Sequence, residues 1–288
     1  MTPVELLSIG ATLALNAGFT WLTGSLLSRL WLGRAHAQLL QLCDCRLRIG
    51  EKIACLVCLG ASAVSVWAAT AMMGDVSLAQ ALSVLPQMLA QTGYGHSALA
   101  AIAFAGILLL APHFRHDWAA RGALLLLFAL ARSSMGHAGE HGLFSVEVGV
   151  EWAHLVLVGV WLGAVALAGW AVLPAARVSP GPIKPYLRLL SGGATVALAG
   201  IVASGVFNAW QRLDSLNQLV DSPYGVALTV KLALIGGAVL LGAYNRFVGF
   251  PALARTGSGH ALTVLRIESV VLLGALAAAS VLTAQAPP

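Results

Sequence analysis

Apolar stretches long enough to cross a lipid bilayer recur along this chain, and no other feature limits its fold as strongly. A helix needs about 20 predominantly apolar residues to traverse the hydrocarbon core. Eight segments approach or exceed that length: residues 4–32, 52–73, 96–111, 118–134, 145–173, 185–210, 224–247 and 262–284. The third and fourth are the shortest. Between the second and third, "GDVSLAQALSVLPQMLAQTGYG" is moderately apolar and interrupted by Pro86. It predicts a surface helix or a re-entrant segment. Only 9% of the 288 residues are charged, against about 25% in soluble domains. A chain of this length can bury a large core, but this one has too few charges to face water, so lipid is its outer solvent. The opening segment, "MTPVELLSIGATLALNAGFTWLTGSLLSRLWLGR", lacks a basic n-region and its apolar run is long enough to span. It is expected to stay as a first helix rather than be removed as a signal peptide.

The net charge of +5 does not point to nucleic acid, because the basic residues sit in short connections between apolar runs. There they set topology, since cytoplasmic loops collect Lys and Arg. Loop 1–2 and its flanks hold Arg29, Arg34, Arg46, Arg48 and Lys52; loop 3–4 holds Arg115 and Arg121. Loop 5–6 holds Arg177, Lys184 and Arg188, and loop 7–8 holds Arg246, Arg255 and Arg266. The opposite face has only Arg132 and Arg212, and Lys231 falls inside a span. The bias predicts an all-α polytopic membrane bundle of about eight transmembrane helices with both termini periplasmic.

The two halves also resemble each other. "TGYGHSALAAIAFAGILLL" parallels "SPYGVALTVKLALIGGAVLL", and "TWLTGSLL" parallels "VWLGAVAL". With an even number of spans per half, the repeat is a parallel four-plus-four. The expected division is an N-terminal half, residues 1–134, and a core half, residues 135–288. In this alignment His154 faces Ala14 and Lys231 faces Ala101. The second half therefore carries two intramembrane ionisable groups that the repeat itself does not require.

Those groups belong to an unusual cluster. "SSMGHAGEHGLFSVEVGVEWAH", residues 133–154, holds three of the chain's eight histidines, three of its eleven acidic residues and Met135. Glu147, Glu151 and His154 are spaced i, i+4, i+7 and share one helical face, which Trp161 continues a heptad deeper. An ionisable residue within a span costs at least ~2.5–3.5 kcal/mol and usually marks function. A lone histidine there serves equally well as a neutral hydrogen-bonded core residue, but the two carboxylates on its stripe favour a ligand role. Imidazole and carboxylate suit copper(II) or zinc; imidazole and thioether suit copper(I). Met135, His137 and His141 add loop ligands on the outer side, where His96 and the chain-end methionines of the second span, Met72 and Met73, also lie. Lys231 either snorkels to the interface, pairs with a carboxylate such as Glu151, or holds an anionic cofactor.

Four cysteines cluster in "CDCRLRIGEKIACLVC": Cys43, Cys45, Cys55 and Cys58. They are expected on the cytoplasmic side, where structural disulfides are rare. Four thiolates suit copper(I) or zinc, although the spacing matches no standard zinc motif, and cysteine is also a small apolar helix residue. No phosphate-binding glycine loop or nucleophile elbow is present, so no enzyme class is indicated.

Several motifs together resemble the CopD (PcoD) family of inner-membrane copper resistance proteins. "MGHAGEHG" looks like the Gly-His-Ala loop before the family's core, and "EWAHLVLVGVWLGAVAL" like its His-x6-Trp-x-Gly helix, with His154, Trp161 and Gly163 in place. "ASGVFNAW" resembles its Ser-Gly helix. "DSPYGVALTVKLALIGGAVLLGAYNR" resembles its Tyr-Gly, Lys and Asn segment, at Tyr224, Gly225, Lys231 and Asn245. "RIES" resembles its Arg-x-Glu, at Arg266 and Glu268. The resemblance covers the second half well; the first half matches only as a set of spans, and the cysteine cluster lies outside the pattern. It implies copper carried from periplasm to cytoplasm across a bacterial inner membrane, with copper ions and periplasmic copper-binding proteins as partners. The family is similar over its four-helix core to the HemJ-type membrane protoporphyrinogen oxidases. That implies haem b as an alternative cofactor, held by His154 and Lys231.

Overall fold

Inside hydrocarbon, backbone N–H and C=O groups find no water, so each apolar run must close its own hydrogen bonds. A computed structural model describes residues 2–110, 117–136, 139, 142, 145–176, 183–211, 223–256 and 260–284, and every regular element among them is helical. The elements are α1 (Pro3–Ala35), α2 (Ala37–Met73), α3 (Leu78–Gln91), α4 (Gly93–Leu110) and α5 (Trp118–Ser133). They continue with α6 (Val146–Ala176), α7 (Lys184–Trp210), α8 (Pro223–Tyr244, running on to Thr256) and α9 (Ala261–Thr283). Seven of these are long and apolar enough to cross a membrane. The remaining expected span, α5, does form a helix, but its 16 residues reach only about 24 Å at 1.5 Å per residue.

Local chemistry sets the ends. Thr2 and Glu5 form a capping box ahead of Pro3, and Asp117 and Ser145 accept hydrogen bonds from the first turns of α5 and α6. The segment interrupted by Pro86 is the helix α3, capped by Ser77 and Gln80. At 14 residues it is about 21 Å long, too short to span. It buries only Ala81 and Met88, and the Trp67 indole tethers its start through Leu78 O at 2.8 Å.

The first connection differs from expectation. It is not a loop: α1 and α2 are separated by His36 alone, whose ring nitrogen accepts from the Leu39 N–H. The charges there are built into helix because they pair. Arg29 meets Asp44 at 2.6 Å and Glu51 at 2.8 Å, Arg121 of α5 meets Glu51 at 3.2 Å, and Arg48 meets Asp44 at 3.1 Å. Ser25 donates to the same Glu51 carboxylate. An ion-paired cluster of this kind lets a helix continue past the end of its apolar run.

The first helices of the two sequence halves, α1 and α6, cross at Gly24 and Gly163. A Cβ on Gly24 would collide with the Gly163 backbone, and one on Gly163 with Thr20 O. Small residues at the crossing let the two backbones touch, the usual route to tight packing in lipid. One apolar core joins α1, α2, α4 and α5 around Phe19, Leu22 and Phe128; the other joins the inner part of α1 to α6, α7 and α9 around Leu32, Val165, Tyr186 and Leu265. Two helices carry π-helical turns, Ala168–Val172 in α6 and Asn245–Gly249 in α8. Helix α8 packs on α9 but scarcely touches α7, which leaves a seam between α7 and α8.

Candidate functional site

Six helices converge on a chamber of about 140 Å³ that contains His154 and Glu151 of α6. Its other polar walls are Asn16 of α1, Arg132 and Ser133 of α5, Asn208 of α7, Tyr224 and Lys231 of α8 and Thr283 of α9; the rest is apolar, chiefly from α6 and α9. His154 and Glu151 are one turn apart, so the helix alone puts both on the chamber face. That volume holds an ion with a few waters, at ~30 Å³ per water.

The orientation of His154 follows from its neighbour. Its Nδ1 lies 2.8 Å from Ser204 Oγ, and that hydroxyl donates to Gly200 O at 2.6 Å. A hydroxyl has one hydrogen, and Gly200 O can only accept. Ser204 must therefore accept from the imidazole, so Nδ1 carries the proton and Nε2 keeps a lone pair. An imidazole fixed in this way is arranged as metal-binding histidines usually are, with the second nitrogen's hydrogen bond setting tautomer and ring angle. Glu151 Oε2 accepts from Asn208 Nδ2 at 3.1 Å. Ser204 and Asn208 are one turn apart on α7 and steady both candidate ligands. Arg132 is held at the chamber wall by Asn16 Oδ1, 3.2 Å away.

The floor of this chamber is Trp161. Its Nε1 donates to Glu268 Oε1 of α9 at 3.2 Å. Glu268 is only 2% exposed and lines a second cavity beneath the indole, together with Asn245 and Arg246. Asn245 is also buried and approaches Glu268 without good hydrogen-bond geometry.

The other sequence-predicted ligands lie elsewhere. Glu147 is half-buried in the first turn of α6, a turn before Glu151. Met135 is packed into the apolar core of the first half. His137 and His141 lie outside the described residues. His96 is exposed at the start of α4, its Nε2 3.1 Å from Ala90 O, and Met72 and Met73 are exposed at the end of α2. The four cysteines cannot gather on one ion. They sit on a single helix, α2, where Cys43 and Cys58 are 15 residues apart, or about 22 Å. Cys43 points to Ala171 O, Cys58 to Leu15 O, Cys55 is buried beside Cys58 in the first-half core, and Cys45 is exposed. Among the described residues no three His, Cys, Asp or Glu side chains come together as a metal cluster.

Sequence reasoning did not single out Arg132, Asn16, Ser204, Asn208 or the Trp161–Glu268 pair as site residues. Trp161 and Glu268 were each named in the sequence but not as partners; of the others, only Ser204 and Asn208 carried a local signal, their i, i+4 spacing in the apolar second half of α7.

Comparison with known proteins shows similarity to copper resistance and copper transport proteins. The family model "Copper resistance protein D" (CopD) matches residues 184–282. The "Copper resistance protein D" of Pseudomonas syringae pv. tomato is 31% identical over 203 residues, which cover 65% of this chain and 64% of that protein. The "Copper transport protein CutJ" of Bacillus subtilis (strain 168) is 27% identical over 175 residues, covering 59% of this chain and 31% of that protein. The chain thus spans less than two thirds of the length of either relative. No solved structure gives a significant match. The signature falls in the segment that supplies α7, α8 and α9, and over that stretch the chain is similar to the copper resistance protein D family.

Proposed function

We propose that this protein is a copper permease of the bacterial inner membrane, carrying copper from the periplasm toward the cytoplasm, with both termini periplasmic. The relatives' names supply copper. The observation that carries the site is the His154 imidazole, fixed by Ser204 with Nε2 left as a lone pair, one turn from Glu151 in a chamber between helices. The described chamber walls offer imidazole, carboxylate and amide but no sulfur, a donor set that suits copper(II) better than copper(I). Lys231 and Arg132 line the same space and keep a cation from being held too tightly. A permeation path needs that, because its sites must bind without trapping. From this chamber the path continues past Trp161 to Glu268, while His137 and His141 belong to the entrance and Met135, buried in the core beside it, can act only if that core opens. In this reading residues 1–134 form the scaffold half and residues 135–288 the half that carries the path.

His154→Ala should abolish copper uptake into proteoliposomes containing the purified protein and copper accumulation in cells expressing it. Ser204→Ala should leave the ligand in place but misoriented, and reduce uptake by about 10–100-fold, the usual cost of losing a partner that orients a metal ligand. Unchanged uptake in His154→Ala would sink the assignment.

One observation favours a second reading. The charged groups described in the chamber are Lys231 and Arg132 against Glu151 alone, an excess that suits an anionic group. If haem b were bound, His154, Lys231 and Arg132 would be the residues to hold it, the imidazole toward the iron and the two cations toward the propionates, and it would supply one-electron redox chemistry. A Soret band in the purified protein, lost in His154→Ala, selects this reading; copper bound without a Soret band selects the permease.

A further inference from the structure

The seam between α7 and α8 ends in a groove that the copper path does not use. Four cationic side chains line it: Lys184 and Arg188 from the start of α7, Arg246 and Arg255 from the end of α8. Among the described residues no acidic side chain lines it, and the ion pairs all involve Asp44 or Glu51 of α2, neither of which borders the groove. Topology needs basic residues somewhere in a loop, but it does not need them turned onto one cavity. Arg246 bridges the seam, donating to Thr195 Oγ1 at 2.6 Å and Ser191 Oγ at 3.3 Å of α7. The groove measures about 760 Å³, the volume of about 25 waters at ~30 Å³ each. That is far more than a bare ion requires.

The groove is continuous with apolar space. Ser191, Arg246, Phe247 and Phe250 border both it and the cavity above, whose walls include Leu190, Leu198, Val239 and Leu265. Helices α7 and α8 do not close this space by packing on each other. Their neighbouring side chains Val196, Leu240 and Phe247 are 70–74% exposed, so the seam opens to the membrane. A cationic, polar mouth at one end of a membrane-facing apolar cleft matches an amphiphile with an anionic head, and basic pockets between transmembrane helices are known to take such headgroups.

We propose that the α7–α8 seam is a binding site for an anionic phospholipid. The headgroup phosphate lies among Lys184, Arg188, Arg246 and Arg255, and an acyl chain fills the cleft in place of helix–helix contact. The lipid acts as a structural wedge that holds α8 and its Lys231 at a fixed distance from α7. The inference is independent of the cargo: it holds whether the chamber above carries copper or haem.

The test is native mass spectrometry of the detergent-purified full chain, delipidated and then titrated with phosphatidylglycerol or with phosphatidylcholine of the same acyl chains. One phosphatidylglycerol should bind and phosphatidylcholine should not. In the double variant Arg188→Gln and Arg255→Gln, affinity should fall about thirty-fold, from about fivefold per cation removed near a membrane surface. Both residues are exposed, and helix content by circular dichroism confirms that the variant folds. Equal binding of the two lipids overturns the proposal, as does an unchanged affinity in the variant. Competition by inorganic phosphate as effective as phosphatidylglycerol also overturns it, because it would mark a free-anion site instead.

Discussion

Glu51 shows what a single residue does in this protein. Its carboxylate serves Arg29, Arg121 and Ser25 at once, tying α1, α2 and α5 together where water is scarce. Arg29 keeps a second partner in Asp44, but Glu51 is the one acid paired with Arg121 among the described residues. Breaking a buried pair from one side costs more than forming it ever gains, since the other charge is left without compensation. Glu51→Ala should therefore lower stability by about 3–5 kcal/mol, read as the loss in unfolding midpoint of the purified protein. Glu51→Gln, which keeps hydrogen-bonding capacity, should lose less. Equal midpoints for wild type and Glu51→Ala would show that the network is not buried in the folded protein. At this scale the sequence is informative only where spacing does the work. Glu151 and His154 could be read as neighbours because a helix makes them so. Asn16 and Arg132 could not, because their meeting depends on how α1 and α5 dock, which no local pattern encodes. The cysteines show the opposite error: proximity along the chain suggested a shared ion, and the rise of one continuous helix separates them.

Among the elements, the crossing of α1 and α6 decides most. Gly163 is part of the motif read from the sequence, and its role becomes clear only at the crossing, where a side chain has no space. Gly163→Leu should prevent the two helices from meeting. The expected outcome is loss of folded monomer in fluorescence-detected size-exclusion chromatography, while Gly236→Leu, where nothing lies within 4 Å of an added Cβ, should leave the profile unchanged. A normal profile for Gly163→Leu would mean that the backbones do not touch. The helices themselves were legible because hydrocarbon permits so few alternatives. Their ends were not: α2 starts 15 residues before the apolar run, at Ala37 rather than Lys52, because ion pairing carries it past the point where hydropathy falls. The π turns likewise left no hydropathy signal, since one inserted residue rotates the following face without changing composition.

At the level of the whole molecule, the charge bias gives an orientation that labelling can check. Cys45 is the one exposed thiol among the four, and it lies on the stretch of α2 next to His36. With both termini periplasmic, Cys45 should react with a membrane-impermeant maleimide only in inside-out vesicles. Reaction in intact spheroplasts would invert the topology and the proposed direction of transport with it. Contacts knit the N-terminal helices to the C-terminal ones: α1 lies against α6 and α9, while α5 lies against α6. The glycine crossing therefore also governs how the chain can be divided. A piece beginning at residue 184, where the family match starts, would keep Lys231 and Glu268 but leave His154, Glu151 and Trp161 behind. A piece beginning at residue 145 would recover them and bare the face of α6 that α1 covers. Neither fragment encloses the chamber by itself, and a shortened chain built on the second half alone would need its own substitute for α1, from a second copy or from another chain.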